Sequence, residues 1–401
     1  MAAQAREISS GAARPSERCS LLASLGRVLA EDLYADRDFP PFQRSGRDGF
    51  ACRAADLIHV PVVLHVVEEI PAGASALRNL EPGEAAEIMT GAPLPAGADC
   101  VVMVEYTECR KGDDQVKILR QSVAGEHFVE AGSEGKRGDV VLQRGTQITY
   151  AAIAVAAAIG KRELEVVKRP KVAVLSTGNE LVEIGEQPEA HQIRNSNTYS
   201  LGAQVLAAGA EPVLLPIVRD EREHIRAALA EGLQYDLVLI TGGVSAGKYD
   251  LVEEMLSELS AEYFFTGAMI QPGKPTVFAR IVRDKRSIYC FGLPGNPVST
   301  MVTFEVFARP ILRALAGASP EGLPFVQAKL EEDMKIKPGL TRFLPARRGG
   351  DLNSPSVKPV AWRGSGDIVA RSAANCYIVV PPDCTQLHAG EAVTILLAQG
   401  A

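Results

Sequence analysis

Four kinds of residue used in phosphate chemistry recur in short loops of this chain: glycine pairs, hydroxyls, carboxylates and an isolated lysine. Three of the loops read Ser-Thr-Gly-Asn-Glu at 176–180, Thr-Gly-Gly-Val-Ser at 241–245 and Gly-Leu-Pro-Gly-Asn-Pro at 292–297. Each follows a short apolar run with the character of a buried strand. Side by side in a parallel sheet, those strands would open all three loops on one edge, where ligands of open α/β sheets sit. Gly178, Gly242 and Gly243 let backbone N–H groups turn toward a phosphate, and a helix start beyond Gly243 adds positive potential. Ser245 supplies a hydroxyl, and Asp250 a carboxylate for a metal or a ligand hydroxyl. As plain structure, the same residues would make a Gly-Gly turn with an aspartate near a helix start.

Glu180 and Asp220 stand just beyond two of the strand candidates. Carboxylates there repel an anionic ligand unless a divalent cation lies between them, and magnesium fits that requirement. Otherwise each is a solvated turn or cap residue. Pro272-Gly273-Lys274-Pro275 and Leu293-Pro294-Gly295-Asn296-Pro297-Val298-Ser299 are rigid loops with exposed backbone groups. Lys274 brings a point charge suited to an oxyanion, and Pro297 suits a helix start because its missing N–H would be unsatisfied there. Further along the chain, Asp48 lies in Arg44-Ser45-Gly46-Arg47-Asp48-Gly49 and could ligate a metal or act on metal-bound water. Thr90 and Asp99 bound another glycine- and proline-rich loop, where they hold a ligand or cap turns. The six histidines form no metal-ligand spacing, Ser245 belongs to no nucleophile elbow, and no P-loop or dinucleotide fingerprint is present.

The elements that must position these residues are legible as apolar runs. Over residues 168–315, strands at 172–175, 212–217, 237–240, 276–282 and 287–291 alternate with helices at 200–208, 221–230, 251–259 and 298–315. That alternation predicts a central three-layer α/β/α domain with a mostly parallel sheet. Short β-type runs at 60–67, 100–104 and 116–119, parted by Pro-Gly and Pro-Ala-Gly turns, predict a β-rich inserted domain. Runs at 325–330, 357–361, 377–380 and 392–397 predict a C-terminal β domain. Apolar spacing predicts a helix over 21–33, and the run 148–159 another that Gly160 ends; the alanine- and serine-rich first residues read as poorly ordered. The expected organisation is 1–54 with 146–167 as an N-terminal and linker helical domain, 55–145 as the β insert, 168–318 as the α/β domain and 319–401 as the C-terminal domain.

A chain of 401 residues is long enough for several cores. Its net charge of −7, from 42 basic and 49 acidic residues without a basic block, argues against general nucleic-acid binding. Seven scattered cysteines with no C-x-x-C fit a reducing compartment. No apolar run reaches a membrane span and no signal core precedes residue 20, so a cytoplasmic location is expected.

Taken in order, these motifs resemble the MoeA family of molybdopterin molybdenumtransferases, whose eukaryotic relatives include the E domain of gephyrin. The resemblance runs over nearly the whole chain. It rests on Gly26-Arg27-Val28-Leu29-Ala30-Glu31-Asp32, Pro40-Pro41-Phe42, Ser45, Asp48-Gly49-Phe50-Ala51, residues 88–99 and 176–181 and Asn195-Ser196-Asn197. It continues through 241–245 with Asp250, 272–275, 291–299 and Arg371-Ser372-Ala373-Ala374-Asn375. The pattern departs from the family at Arg44 and Arg47, at Gln271 where a lysine is usual, and at Pro345 where an arginine is usual, with Arg342 and Arg347 nearby.

The resemblance implies elongated dimers of four-domain subunits, one domain sharing its fold with the molybdopterin adenylyltransferases. The implied reaction inserts molybdate into adenylylated molybdopterin, giving molybdenum cofactor and AMP with magnesium. It also implies roles. Asp48, Glu180, Asp220 and Asp250 form the catalytic acidic set, with Asp48, Asp220 and Asp250 on the metal. Thr90, Gly178, Gly242, Gly243, Ser245, Pro294, Gly295 and Asn296 line the pterin–nucleotide site, Thr90 from either subunit. Lys274, Ser299 and Ser372 face molybdate. An adenylyltransferase would act upstream and a molybdoenzyme or chaperone downstream. Two other readings remain open: an adenylyltransferase or nucleotide-pyrophosphate hydrolase using the same pocket, and a catalytically weak binding or scaffold paralogue.

Overall fold

A computed structural model describes residues 1–10, 14–109, 114–243, 251–319, 322–352 and 354–398. The chain forms two compact units, one of residues 1–30, 145–149 and 164–401, the other of 31–144 and 150–163. Among the described residues no helix is long and apolar enough to cross a membrane.

The larger unit is built on a six-stranded sheet. Glu211–Leu214, Lys171–Ser176, Leu237–Thr241 and Arg286–Leu293 lie parallel in that spatial order. Val277–Arg283 and Glu262–Thr266 then add two antiparallel strands. Side chains alternate across the pleat. Val172, Val174, Leu237, Leu239, Phe291 and Leu293 enter one core with the helices Ser196–Ala207 and Arg309–Leu315. Ala173, Leu175, Val238, Ile240 and Cys290 enter the other, with the helices Arg222–Gly232 and Leu251–Glu258. Both faces are covered, so the strands need no polar face, and the whole of Leu237–Thr241 is buried. Ile225 and Leu229, one helical turn apart, are fully buried, each worth about 1.5–3 kcal/mol relative to exposure. The expected three-layer α/β/α domain is thus present.

The chain runs without interruption through the helix Pro297–Thr303, a π-helical turn Phe304–Ala308 and the helix Arg309–Leu315. Pro310 has no N–H for the preceding turn, which opens to π geometry. Glu305 and Arg309 form a buried ion pair at 2.7 Å there, and Gln204 donates to Glu305 at 2.9 Å.

A second six-stranded sheet joins five strands of the C-terminal β domain to the short strand Ile270–Gln271. Its longest member, Thr341–Gly350, pairs with Cys376–Val380 and Pro355–Pro359. Apolar periodicity shows no strand there, because Pro345 and the run Arg347-Arg348-Gly349-Gly350 carry little β signal.

The first residues are ordered, against expectation. Ala2–Ser10 is a helix whose Ala5 and Ile8, three residues apart, bury into the same core as Leu312. The helix expected over 21–33 does not form. Leu22–Ser24 is a single 3-10 turn, Gly26 takes φ +76°, and Val28 and Leu29 make bridges to Gln147 and Val166 instead.

The smaller unit carries a six-stranded β sheet in the order Cys100–Met103, Gly49–Cys52, Glu84–Ile88, Val62–Ile70, Gln115–Ile118, Thr107–Glu108. Its core holds Phe50, Cys52, Leu64, Cys100, Val102, Val116 and Ile118. Burial pushes the Cys100 thiol up to about 12, so it acts as a small hydrophobe rather than a nucleophile. The apolar run after Ile148 is the helix Tyr150–Ala158.

Candidate functional site

Strand register places the three glycine loops together. Ser176 pairs with Thr241, and Thr241 with Leu293, so three parallel strands end at one level. After Lys171–Ser176 the chain leaves toward the helix on one face of the sheet; after Leu237–Thr241 it leaves toward the other. The crevice between these two strands is therefore the topological switch point, where open α/β sheets take ligands.

The loops are locked by backbone proximity. Thr177 N–H donates to the Thr241 carbonyl at 2.9 Å, and Gly178 N–H to Val218 at 3.1 Å. Gly242, at φ +93°, has no alternative: a Cβ there would stand 2.2 Å from the Thr177 carbonyl oxygen. Gly295 lies against it, its would-be Cβ 3.6 Å from the Gly242 Cα. The Thr241 and Thr300 hydroxyls both donate to the Pro294 carbonyl, at 3.0 and 2.5 Å, fixing the Pro294-Gly295-Asn296 turn. Asn296 then precedes the helix Pro297–Thr303.

Glu180 and Asp220 are exposed on adjoining loops, which the Asp220 N–H joins by donating to Asn179 Oδ1 at 3.3 Å. Ser245 and Asp250 lie outside the described residues. On the expected oxyanion side, Lys274 is exposed. Its loop is pressed onto the helix Pro297–Thr303, since a Cβ on Gly273 would stand 2.3 Å from Thr303 Cγ2. Ser299 is buried in the first turn of that helix. The short helix Ile368–Ser372 packs against the same helix; it is capped by Asp367 and carries Ser372 exposed, its hydroxyl donating to Val369. Arg371 is tied to Tyr377, donating to the phenol oxygen at 2.6 Å. Gln271 accepts from Arg342 Nη1 at 2.5 Å, whereas Pro345 is buried in the strand interior. A cation therefore borders the Lys274 loop although residue 271 itself is neutral.

In the smaller unit, Gly49–Cys52 and Glu84–Ile88 run antiparallel with Gly49 opposite Ile88. That register brings Asp48 to Thr90. The Thr90 backbone N–H and hydroxyl both donate to Asp48 Oδ1, at 2.6 and 2.8 Å. These two bonds hold the Asp48 carboxyl below the ordinary aspartate range, led by the backbone donor. Asp48 is exposed, and both of these bonds go to the same carboxylate oxygen. Both Thr90 donors are spent on Asp48, so Thr90 offers a ligand only lone pairs. Gly49 is required because a Cβ would lie 1.9 Å from the Val102 carbonyl oxygen. Arg44 pairs with Glu134 at 2.9 Å rather than with Asp48, and Arg47 is exposed. Asp99 serves structure: its Oδ1 accepts from Ala54 N–H at 2.6 Å.

Two polar residues of the strand-end edge, Thr177 and Asn197, lie inside the motifs 176–181 and 195–197, yet sequence reasoning assigns them no role. The amide Nδ2 of Asn197 donates to Thr241 Oγ1 at 3.0 Å and to the Gly295 carbonyl at 2.7 Å. The signal that could single them out is motif membership together with position, one hydroxyl after a buried strand and one amide in a helix's first turn.

Three family models match the chain in order: "MoeA N-terminal region (domain I and II)" over residues 1–160, "Probable molybdopterin binding domain" over 173–314 and "MoeA C-terminal region (domain IV)" over 327–398. A molybdopterin molybdenumtransferase of Bacillus subtilis (strain 168) is 34% identical, covering 95% of this chain and 90% of its own length. One from Staphylococcus aureus (strain COL) is also 34% identical, covering 98% and 94%. The crystal structure of the molybdopterin biosynthesis moeA protein from Pyrococcus horikoshii OT3 superposes with a TM-score of 0.79 at 30% identity, over 99% of both chains.

Proposed function

The chain belongs to the MoeA family, and we infer from this that it is a molybdopterin molybdenumtransferase, inserting molybdate into adenylylated molybdopterin with release of AMP. The observation that carries the reading at the level of residues is the common end of three parallel strands at Ser176, Thr241 and Leu293. A phosphoanhydride needs backbone donors and no bulk, and Gly178, Gly242, Gly243 and Gly295 provide that edge. The pterin–nucleotide substrate is proposed to lie along it, with Pro294 and Asn296 at its border and Ser245 as a further donor.

The protein's part is positioning and fixed charge. Asp48, its carboxyl held below the ordinary aspartate range by Thr90, provides a negative charge at neutral pH, and Thr90 orients it. Glu180 and Asp220, with Asp250, are the proposed acidic residues of the strand-end loops. Lys274, Ser299 and Ser372 are proposed to meet molybdate, Lys274 by charge and the serines by hydrogen bonding, for which the Ser372 hydroxyl turns away from Val369. Arg342, held on Gln271, adds cationic potential beside Lys274.

Magnesium belongs to the same proposal. Among the described residues no three His, Cys, Asp or Glu side chains are grouped to hold a metal. Magnesium is commonly held by one or two carboxylates plus substrate phosphates and water. Asp48, Asp220 and Asp250 are the carboxylates proposed for that role by family resemblance, Asp48 and Asp220 being exposed. When bound, the ion neutralises phosphate charge. A homodimer, a cytoplasmic location, an adenylyltransferase supplying the substrate and a molybdoenzyme or chaperone receiving the product complete the reading.

The test is AMP release from adenylylated molybdopterin, with and without molybdate, across a magnesium titration. Release that requires both is expected. Equal release without molybdate would mark a pyrophosphate hydrolase, and ligand binding with no release a scaffold.

A further inference from the structure

We propose that Asn197 is the positioning residue that holds the Gly242–Gly243 and Pro294–Asn296 loops at the spacing the nucleotide half of the substrate requires. This rests on the reading of the strand-end edge given above. Asn197 lies in the first turn of the helix Ser196–Ala207, whose cap Asn195 accepts from the Thr198 N–H at 3.2 Å. The cap fixes the backbone that carries Asn197 and leaves the Asn197 side chain free to reach the sheet edge.

The orientation of its amide is not open to choice. The atom 2.7 Å from the Gly295 carbonyl must be the nitrogen, because a carbonyl oxygen can only accept. The same nitrogen faces Thr241 Oγ1, whose own hydrogen goes to Pro294. Both N–H groups of Asn197 are therefore consumed, one on each loop. One side chain on a helix thus ties the end of Leu237–Thr241 to the turn after Arg286–Leu293.

A second observation shows that packing economy does not explain this residue. Among the described residues, Asn197 Oδ1 is buried and without a hydrogen-bond partner, as is Thr177 Oγ1 beside Gly242 and Gly243. Buried polar side-chain atoms are normally paired, and an exception calls for a reason. An apolar residue would avoid the unpaired oxygen but could not bridge the two loops. Gly242 and Gly295 touch, so a loosened bridge displaces both glycine loops together.

The experiment uses the full chain. AMP affinity is measured by calorimetry, and kcat and KM for adenylylated molybdopterin are measured at saturating molybdate, beside circular dichroism and Tm. Asn197→Ala is expected to weaken AMP binding and raise KM about tenfold, with kcat changed much less. Asn197→Asp is expected to do at least as much, since its second oxygen would face the Gly295 carbonyl. Thr241→Val, which removes one anchor, should weaken AMP binding, whereas Thr241→Ser, which keeps the hydroxyl, should restore it. The Thr241 pair also decides the matter if Asn197→Ala does not fold. AMP affinity within twofold of the parent in folded Asn197→Ala, or a lowered Tm with affinity unchanged, overturns the proposal. So does a Thr241→Val protein that binds AMP as the parent does. A parent that binds AMP but shows no molybdate dependence overturns the functional reading alone, and the affinity measurements still decide on Asn197. A parent that binds no AMP overturns both.

Discussion

At the strand-end edge of the larger unit, geometry is set by what is missing. At the Asp48 loop of the smaller unit, it is set by a charge. Gly242 has a Thr177 carbonyl where a Cβ would go, and the Thr241 and Thr300 hydroxyls and the Asn197 amide nitrogen around it donate to backbone carbonyls. Asp48 is exposed, and its neighbours hold it with two hydrogen bonds from one threonine. The glycine turns of the edge are therefore stiff, a shape that a phosphoanhydride either fits or does not. The loop is electrostatic, adjustable by single atoms and by protonation. A reaction that must hold an anionic substrate and manage its charge has use for both.

Three substitutions sharpen or break that contrast. The largest effect is expected from Asp48→Asn, which keeps the shape and removes the charge. Molybdate-dependent AMP release should fall by about a hundredfold, while Tm stays near that of the parent because the side chain is exposed. Full turnover in this variant would remove Asp48 from the mechanism and leave the edge as the whole site. Next is Gly242→Ala. A left-handed backbone forced on alanine, with a clash against Thr177, should cost about 1–3 kcal/mol, read by denaturant unfolding, and should weaken AMP binding. Unchanged stability and affinity would show that the loop relaxes freely and is not stiff.

The smallest effect is expected from Thr90→Val, which removes one of the two donors to Asp48 and leaves the backbone N–H in place. The Asp48 carboxyl is depressed below its ordinary value of 3.8, so its hydrogen-bonded, ionised state is complete above that value. Its contribution is lost as pH falls through the lower folded value. Loss of the hydroxyl should raise the folded pKa part of the way back, followed by carboxyl carbon NMR. The acid limb of AMP release should move up with it, while neutral-pH activity changes little. An unmoved titration would mean that the backbone bond alone sets the charge.

Much of the edge is legible in the residues alone. The runs at 172–175 and 237–240 are β-branched and leucine-rich, that at 287–291 is apolar and aromatic, all are short and followed by glycine loops, and buried parallel strands leave few other readings. Asp48 and Thr90 are each legible as candidates, but their contact is not. It depends on Gly49 pairing with Ile88, and the strands 49–52 and 84–88 carry small or charged residues that hide their periodicity. The N-terminal helix is hidden for a related reason. Its burial rests on just Ala5 and Ile8, which mean little until the core they enter is known. Leu21, Leu22, Leu25, Val28 and Leu29 suggest a helix by spacing that Gly26 weakens, and pairing of Val28 and Leu29 with Gln147 and Val166 wins over local propensity.

The sequence by itself determined the three-layer α/β/α domain, the glycine loops at its strand ends and the family pattern that joins them to Asp48 and Lys274. These follow from local periodicity and from residue types that few other structures require. Tertiary structure alone decided that Thr90 spends its donors on Asp48, that Arg342 stands against Gln271, and that Asn197 binds two loops with one amide. Each is a hydrogen bond between residues far apart in the chain. Its existence depends on register and on helix placement to within an ångström, and residue type along the chain does not encode that directly.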